Sequence, residues 1–94
     1  MAVGDTFKAL SDPTRREILS LLKQGSLTAG EISDQFEMTP ATISHHLSVL
    51  RDAELITDER EGRYIRYELS MTMLEEILSW IAHLQGGDPD ETNE

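Results

Sequence analysis

Cysteine is absent from the 94 residues of this chain. Its absence excludes disulfide bonds, thiolate metal sites and cysteine nucleophiles. No apolar run approaches about 18 residues, the length at which a helix becomes a candidate for crossing a membrane. The first residues also lack a basic region followed by a long apolar core, so we expect no secretory signal and a cytoplasmic location.

Basic residues are scarce. Eight Lys and Arg stand against 18 Asp and Glu, and the formal net charge is −10. This charge opposes binding to nucleic acid, because phosphate repels carboxylate. The distribution matters more than the total: residues 38–51 hold no acid and one base, Arg51, and residues 60–67 hold three arginines and one acid. These two segments are the candidates for contact with a polyanion.

Groups suited to catalysis are missing as well. Glu75 and Glu76 are adjacent, so their carboxylates point in different directions on a helix. No Ser/His/Asp set can be named, and no glycine-rich phosphate loop is present. We therefore expect a protein that is not an enzyme and that has no cofactor and no bound metal.

The length predicts one small domain, which we place at residues 1–87. Such a domain buries only about 60–65% of its unfolded surface, so a monomer is marginally stable and oligomerisation is a common remedy. The remaining residues, 88–94, contain no apolar side chain and predict an acidic disordered tail.

Helical periodicity and start signals predict five helices. Asp12, Thr28, Thr39 and Thr72 are the predicted caps of the last four. The helices are expected near residues 3–10, 13–24, 28–36, 40–52 and 72–85. Two runs rich in β-branched and aromatic residues, 55–59 and 64–69, predict a two-stranded hairpin with Gly62 in its turn.

The predicted fold is mainly α with a small β-hairpin, in the order α-α-α-α-β-β-α. Two short helices, 28–36 and 40–52, are separated by a tight connection, which is the helix-turn-helix arrangement. The hairpin directly after it makes the winged helix-turn-helix.

The helix at 40–52 is the candidate recognition helix. Ile43, Leu47 and Leu50 are expected to face the core, and the other faces carry hydroxyls and imidazoles that suit phosphates and base edges. The candidate DNA contacts here are Thr39, Pro40, Ala41, Thr42, Ser44, His45 and His46. An ordinary solvated helix is the alternative interpretation. His46, which precedes a core leucine, has a structural role as its own alternative.

The hairpin adds two candidate DNA contacts, Arg60 and Arg63, which flank Glu61 and Gly62. A wing beside a recognition helix can place such arginines against phosphate or a narrow minor groove. The alternative is a solvated turn.

Apolar residues cover more than half of the last helix, which is wider than the stripe that one small domain can bury. The excess predicts a homodimer. The candidate interface residues are Val3, Phe7, Met73, Leu74, Ile77, Leu78, Ile81 and Leu84.

The chain resembles the ArsR/SmtB family of small bacterial winged-helix repressors. The matching segments are "LSDPTRREILSLL" (10–22), "LTAGEIS" (27–33), "ATISHHLSVLRDAELI" (41–56) and "REGRYIRYEL" (60–69). Ser44-His45-His46-Leu47 matches the family's Ser-x-His-Leu centre. The resemblance implies a homodimer, built from the first and last helices, that represses transcription at a twofold-symmetric double-stranded DNA operator.

Many family members sense metals through cysteines in the first helix of the helix-turn-helix, or through Asp and His early in the last helix. Neither set is present here; Glu76 and His83 are the remaining candidates for a bridging metal site, and we expect none. The closest resemblance is to the cysteine-free SdpR-like autorepressors, which implies autorepression and control by a sequestering or effector protein. The competing function is a winged-helix interaction module that docks a protein partner instead of DNA, which the net charge favours.

Overall fold

The computed structural model describes residues 3–86, except for the side chain of Val3. The predicted tail at 88–94 and Gly87 lie outside the described residues. Within the described part, no helix is both long enough and apolar enough to cross a membrane.

The first two helices are α1 (Val3–Leu10) and α2 (Pro13–Leu22). Asp12 begins α2 as predicted, since its Oδ2 accepts a hydrogen bond of 3.0 Å from the backbone N–H of Arg15. The same bond is the main reason that the pKa of Asp12 lies below its usual value.

The next segment contains a two-residue strand and two helices: β1 (Leu27–Thr28), α3 (Ala29–Ser33) and α4 (Pro40–Asp52). The predicted capping box is confirmed. Thr28 Oγ1 accepts a 3.2 Å bond from the Glu31 N–H, and Glu31 Oε1 accepts a 2.9 Å bond from the Thr28 N–H. Two orphan donors at the start of α3 are thereby satisfied.

The first helix of the helix-turn-helix is shorter than the predicted 28–36. After Ser33 the chain continues in tight turns, in which the N–H groups of Gln35 and Phe36 donate three residues back. Phe36 nevertheless packs against the core. Because Phe36 is an apolar core residue at helical spacing, the sequence-based prediction extended the helix too far.

The hairpin strands are β2 (Ile56–Glu61) and β3 (Tyr64–Leu69), and Gly62 in their turn has φ +63° as expected. The sheet has three antiparallel strands in the order β1-β3-β2, because Leu27 also pairs with Tyr67. The prediction of a two-stranded hairpin missed β1. The winged helix-turn-helix and its main elements are otherwise confirmed.

The last helix is α5 (Met71–Leu84), and its cap position is Ser70, not the predicted Thr72. Ser70 makes no capping bond with its side chain, but its N–H donates to the Leu55 carbonyl at 2.9 Å. This bond ties the start of α5 to the start of the hairpin.

The core contains residues from all five helices and from the sheet. The buried apolar residues are Ala9, Ile18, Leu22, Ile32, Ile43, Leu47, Leu50, Ala53, Leu55, Ile56, Tyr67, Met73 and Ile77. The three inward residues predicted for α4, Ile43, Leu47 and Leu50, are each at most 1% exposed. α4 is therefore fixed by its apolar face, and its opposite face is left to solvent.

Candidate nucleic-acid interface

The outer face of α4 carries the polar residues that the sequence proposed as DNA contacts. Thr39, Pro40, Ala41, Thr42, Ser44 and His45 are all exposed. No acidic side chain occurs on the helix before Asp52, its last residue. The exposed hydroxyls and the His45 imidazole can donate to and accept from phosphates and base edges.

Thr39 serves first as the cap of α4. Its Oγ1 accepts a 3.2 Å bond from the Thr42 N–H and lies 2.9 Å from Thr42 Oγ1. The two hydroxyls thus form one polar pair at the helix N-terminus. The 13-residue helix places the positive end of its dipole at this point, where a phosphate is favoured.

His46 does not share the exposure of its neighbours. Only 12% of its side chain is accessible, and its Nδ1 lies 3.2 Å from Arg15 Nη1 and 4.0 Å from Asp12 Oδ2. The assignment of His46 to the DNA-contact set does not fit this position. Because the ring points back toward the start of α2, this position favours the structural alternative.

The wing presents Arg60 and Arg63 as exposed cations. Arg60 Nη1 donates to the Gly62 carbonyl at 3.3 Å, and the Arg63 guanidinium carbon lies 5.5 Å from the centre of the Tyr64 ring. Neither arginine forms an ion pair within residues 3–86. Their charge is therefore not neutralised by a carboxylate of the described chain.

The other two arginines of the positive segments are paired. Arg66 Nε donates to Glu61 Oε1 at 3.0 Å, and Arg51 Nη1 donates to Asp58 Oδ2 at 3.3 Å. These hydrogen bonds are the main cause of the raised pKa of each arginine. Counting charges along the sequence missed this division, since it depends on how α4 and β3 pack beside Asp58 and Glu61 of β2.

Arg15 was also missed by the sequence analysis. It lies on α2, where nothing in the local pattern separates it from Arg16. Its guanidinium reaches two backbone carbonyls of α1 as well as His46 of α4. Only the packing of the three helices brings these groups together.

The predicted dimer residues fall into two groups. Met73 and Ile77 are 3% and 7% exposed, so these two belong to the core of the chain itself, which corrects their assignment to the interface. Leu74 is partly buried against the core, and its assignment to the interface stays a prediction. The side chain of Val3 lies outside the described residues.

The other predicted positions form an exposed apolar surface. Ile81 and Leu84 follow Ile77 at helical spacing, yet they are 39% and 63% exposed. Phe7 of α1 joins them through Trp80, with ring centroids 5.5 Å apart. We call this surface the α1/α5 patch; its residues are Phe7, Leu78, Trp80, Ile81 and Leu84.

A metal site finds little support in the described residues. Between residues 3 and 86, no three His, Cys, Asp or Glu side chains come close enough to hold an ion. Glu76 and His83, the pair considered from sequence, are both exposed on α5. The expectation of no metal stays a prediction.

Comparison with known proteins gives consistent matches. Residues 12–58 match the family described as bacterial regulatory protein, arsR family. The chain is 46% identical over 89 residues to the transcriptional repressor SdpR of Bacillus subtilis (strain 168), covering 94% of this chain and 99% of that protein. It is 41% identical over 70 residues to the arsenical resistance operon repressor of Staphylococcus xylosus, covering 74% and 67%.

The fold has close counterparts among solved structures. A crystal structure of an ArsR family transcriptional regulator superposes with a TM-score of 0.83 at 29% identity, covering 88% of this chain and 86% of the other. The matched segment 12–58 contains α3, α4 and the start of the wing. Most of the candidate DNA-contact residues therefore lie inside the segment that matches the family.

Proposed function

Because the chain belongs to the arsR family of bacterial regulatory proteins, we propose that it is a homodimeric repressor that binds a twofold-symmetric operator without sensing a metal. At the coarser level it is a DNA-binding transcriptional regulator with a winged helix-turn-helix, and proteins of this family are not enzymes. We propose a cytoplasmic location, because the proposed partner is DNA.

One observation carries the proposal: the acid-free outer face of α4 lies beside a wing whose two tip arginines pair with no carboxylate among the described residues. A chain with a formal net charge of −10 keeps this face free of acid. Thr42, Ser44 and His45 would reach base edges or phosphates in the major groove. Arg60 and Arg63 would contact phosphate or the adjacent minor groove.

The dimer is supported by the α1/α5 patch. The apolar side of α5 that contains the buried Met73 and Ile77 continues to Ile81 and Leu84, which the described residues of one chain leave exposed. A second copy would cover both patches at once in an isologous contact. Each large side chain buried this way stabilises the assembly by about 1.5–3 kcal/mol.

Control by something other than a metal is part of the proposal. The arsenical resistance repressor is one relative, but the cysteine-free chain offers no thiolate for a metalloid. Similarity to the repressor SdpR over nearly the whole chain supports a repressor. Autorepression, and release by a sequestering or effector protein, are the forms of control we propose.

Selection from a random pool of duplex DNA tests the function. We expect purified protein to enrich an inverted repeat whose half-sites are centred about one helical turn apart. Enrichment of no motif, together with retention of a protein partner by the same surface, would favour the interaction module over the repressor.

A further inference from the structure

His46 lies behind the DNA-facing surface of α4 and contacts Arg15 across 31 positions of sequence. The guanidinium carries only donors, so at 3.2 Å the Nδ1 atom of His46 must act as the acceptor. This requires the neutral imidazole with its proton on Nε2. The hydrogen bond therefore has one direction: Arg15 of α2 donates and His46 of α4 accepts.

The same guanidinium holds the end of α1. Arg15 Nε donates to the Ala9 carbonyl at 2.7 Å, and Nη2 donates to the Lys8 carbonyl at 3.2 Å. These carbonyls belong to the last turn of α1, where helix acceptors lack partners within the helix, and the Lys8 carbonyl also accepts from the N–H and Oγ of Ser11. Asp12 completes the group, since its Oδ2 accepts from the Arg15 backbone and lies 4.0 Å from His46 Nδ1.

A second contact joins α1 to α4 at a different point. Thr6 is fully buried, and its Oγ1 donates to the Ala53 carbonyl at 3.5 Å, just past the end of α4. His46 lies two turns earlier on the same helix. These two polar contacts lie at different points along α4 and add to the packing of Ile43, Leu47 and Leu50, so together they constrain the direction of the helix.

We propose that Arg15 and His46 form a positioning contact that couples the orientation of α1 to the orientation of the recognition helix α4. Because α1 is part of the proposed dimer interface, the contact also couples the dimer to α4. The inference rests on the proposed function. Phe7 of the α1/α5 patch is on α1, so the dimer contact and the Arg15 contact share one short helix. His46 is then a positioning residue that sets the distance and angle between two α4 helices, and it reads no base.

Operators with altered spacing separate this role from a base contact. His46→Leu removes the acceptor at similar size, whereas His46→Asn restores an acceptor oxygen close to the Nδ1 position. Binding is measured to the selected operator and to versions with one base pair added or removed between the half-sites. Dimerisation and thermal stability are recorded for each variant.

We expect His46→Leu to remain dimeric, to bind the selected operator about 3- to 30-fold more weakly, and to discriminate less between spacings. Base preferences within each half-site should stay unchanged. His46→Asn should recover most of the spacing discrimination. The Arg15→Lys substitution keeps the positive charge but loses the planar guanidinium with its several donors. In the double variant it should add little to the effect of His46→Leu on spacing discrimination.

Three results would overturn the proposal: a changed preference at a single base in His46→Leu, unaltered spacing discrimination, or additive effects of the two substitutions on spacing discrimination. If His46→Leu does not fold, the spacing discrimination of His46→Asn is compared with that of His46→Gln. Gln places its oxygen farther from the backbone than Asn does, so only Asn should keep the contact with Arg15. Equal losses in both would then contradict the proposal. Failure of the wild type to select any DNA would instead refute the proposed function.

Discussion

The backbone N–H of Leu55 donates a 3.0 Å hydrogen bond to the carbonyl of Leu50, and this bond closes the C-terminus of α4. A second bond of 2.9 Å runs from the Glu54 N–H to the Arg51 carbonyl. Together they form a Schellman motif, whose αL position is usually glycine. Here that position is Glu54, with φ +63°.

Glu54→Gly should stabilise the protein, because a side chain with a Cβ is strained at positive φ and glycine is not. We expect the free energy of unfolding to rise by about 1 kcal/mol, measured by urea denaturation at one fixed protein concentration. Glu54→Ala is the matched control, since it removes the carboxylate and keeps the Cβ. Equal stability of the two variants would contradict the expected gain, because the strain that glycine relieves would then be no larger than the entropy that it adds to the unfolded chain.

Most of the fold follows from local signals in the sequence. The caps at Asp12, Thr28 and Thr39 correctly placed the starts of α2, α3 and α4, and the apolar spacing of α4 correctly placed its buried face. The strand β1 was missed because two residues cannot show a period of two. The start of α5 was misplaced because Ser70 caps it without a side-chain bond, so no sequence signal marks it.

The candidate site was predictable only in part. Periodicity identified the exposed face of α4, but it could not show that His46 reaches Arg15 or that Glu61 pairs with Arg66, since such contacts depend on tertiary packing. The same limit applies to α5. A helical period places Ile77 and Ile81 on one face, but it does not tell which of them the chain's own core covers.

Ser44→Ala and His45→Ala should each relax base preference at one position of each half-site. Both side chains are exposed on the N-terminal half of α4, where a recognition helix meets base edges. The expected loss is about 1–3 kcal/mol for the preferred base, measured by competition between single-base operator variants. Ser48→Ala, an exposed change farther along the same helix, is the control. A uniform loss for all bases would instead assign Ser44 and His45 to phosphate contacts.

Arg63→Ala should weaken binding to all sequences and reduce the salt dependence of affinity by about one charge unit. The reason is that Arg63 has no carboxylate partner within residues 3–86 and is available to a phosphate. Arg66→Ala is the comparison: Arg66 pairs with Glu61 at 3.0 Å, so its loss should leave the salt slope unchanged. The slope comes from affinities at several salt concentrations. A shallower slope for Arg66→Ala alone would reverse the assignment.

Zinc should not release the operator. The described residues bring no three suitable ligands together, and the sequence lacks cysteine. Operator affinity should be the same for chelator-treated protein and for protein with a micromolar excess of Zn²⁺. Release by Zn²⁺ that disappears in His83→Ala would contradict this expectation and would point to a site bridging two chains through Glu76 and His83.

The last prediction tests whether the α1/α5 patch is the dimer interface. Ile77→Asp is unsuitable for testing the dimer, because Ile77 is 7% exposed and its substitution would bury a charge inside one chain. Ile81 lies one turn farther along α5 and is 39% exposed, so an aspartate there is solvated in a monomer. In a dimer built on the patch, the same aspartate would be buried against apolar side chains.

Ile81→Asp should therefore give a monomer that keeps its helices, as measured by sedimentation and circular dichroism, and its operator affinity should fall because two linked half-sites are no longer bound together. Ser79→Asp is the matched control: it adds the same charge on the opposite side of α5, where Ser79 is exposed. That variant should remain dimeric and bind normally. An Ile81→Asp protein that stays dimeric would remove the patch from the interface, and a wild type that sediments as a folded monomer at micromolar concentration would rule out the dimer itself. Unfolding of Ile81→Asp with an intact Ser79→Asp dimer would mean that the patch is covered by the partner and that the chain has no stable folded monomer.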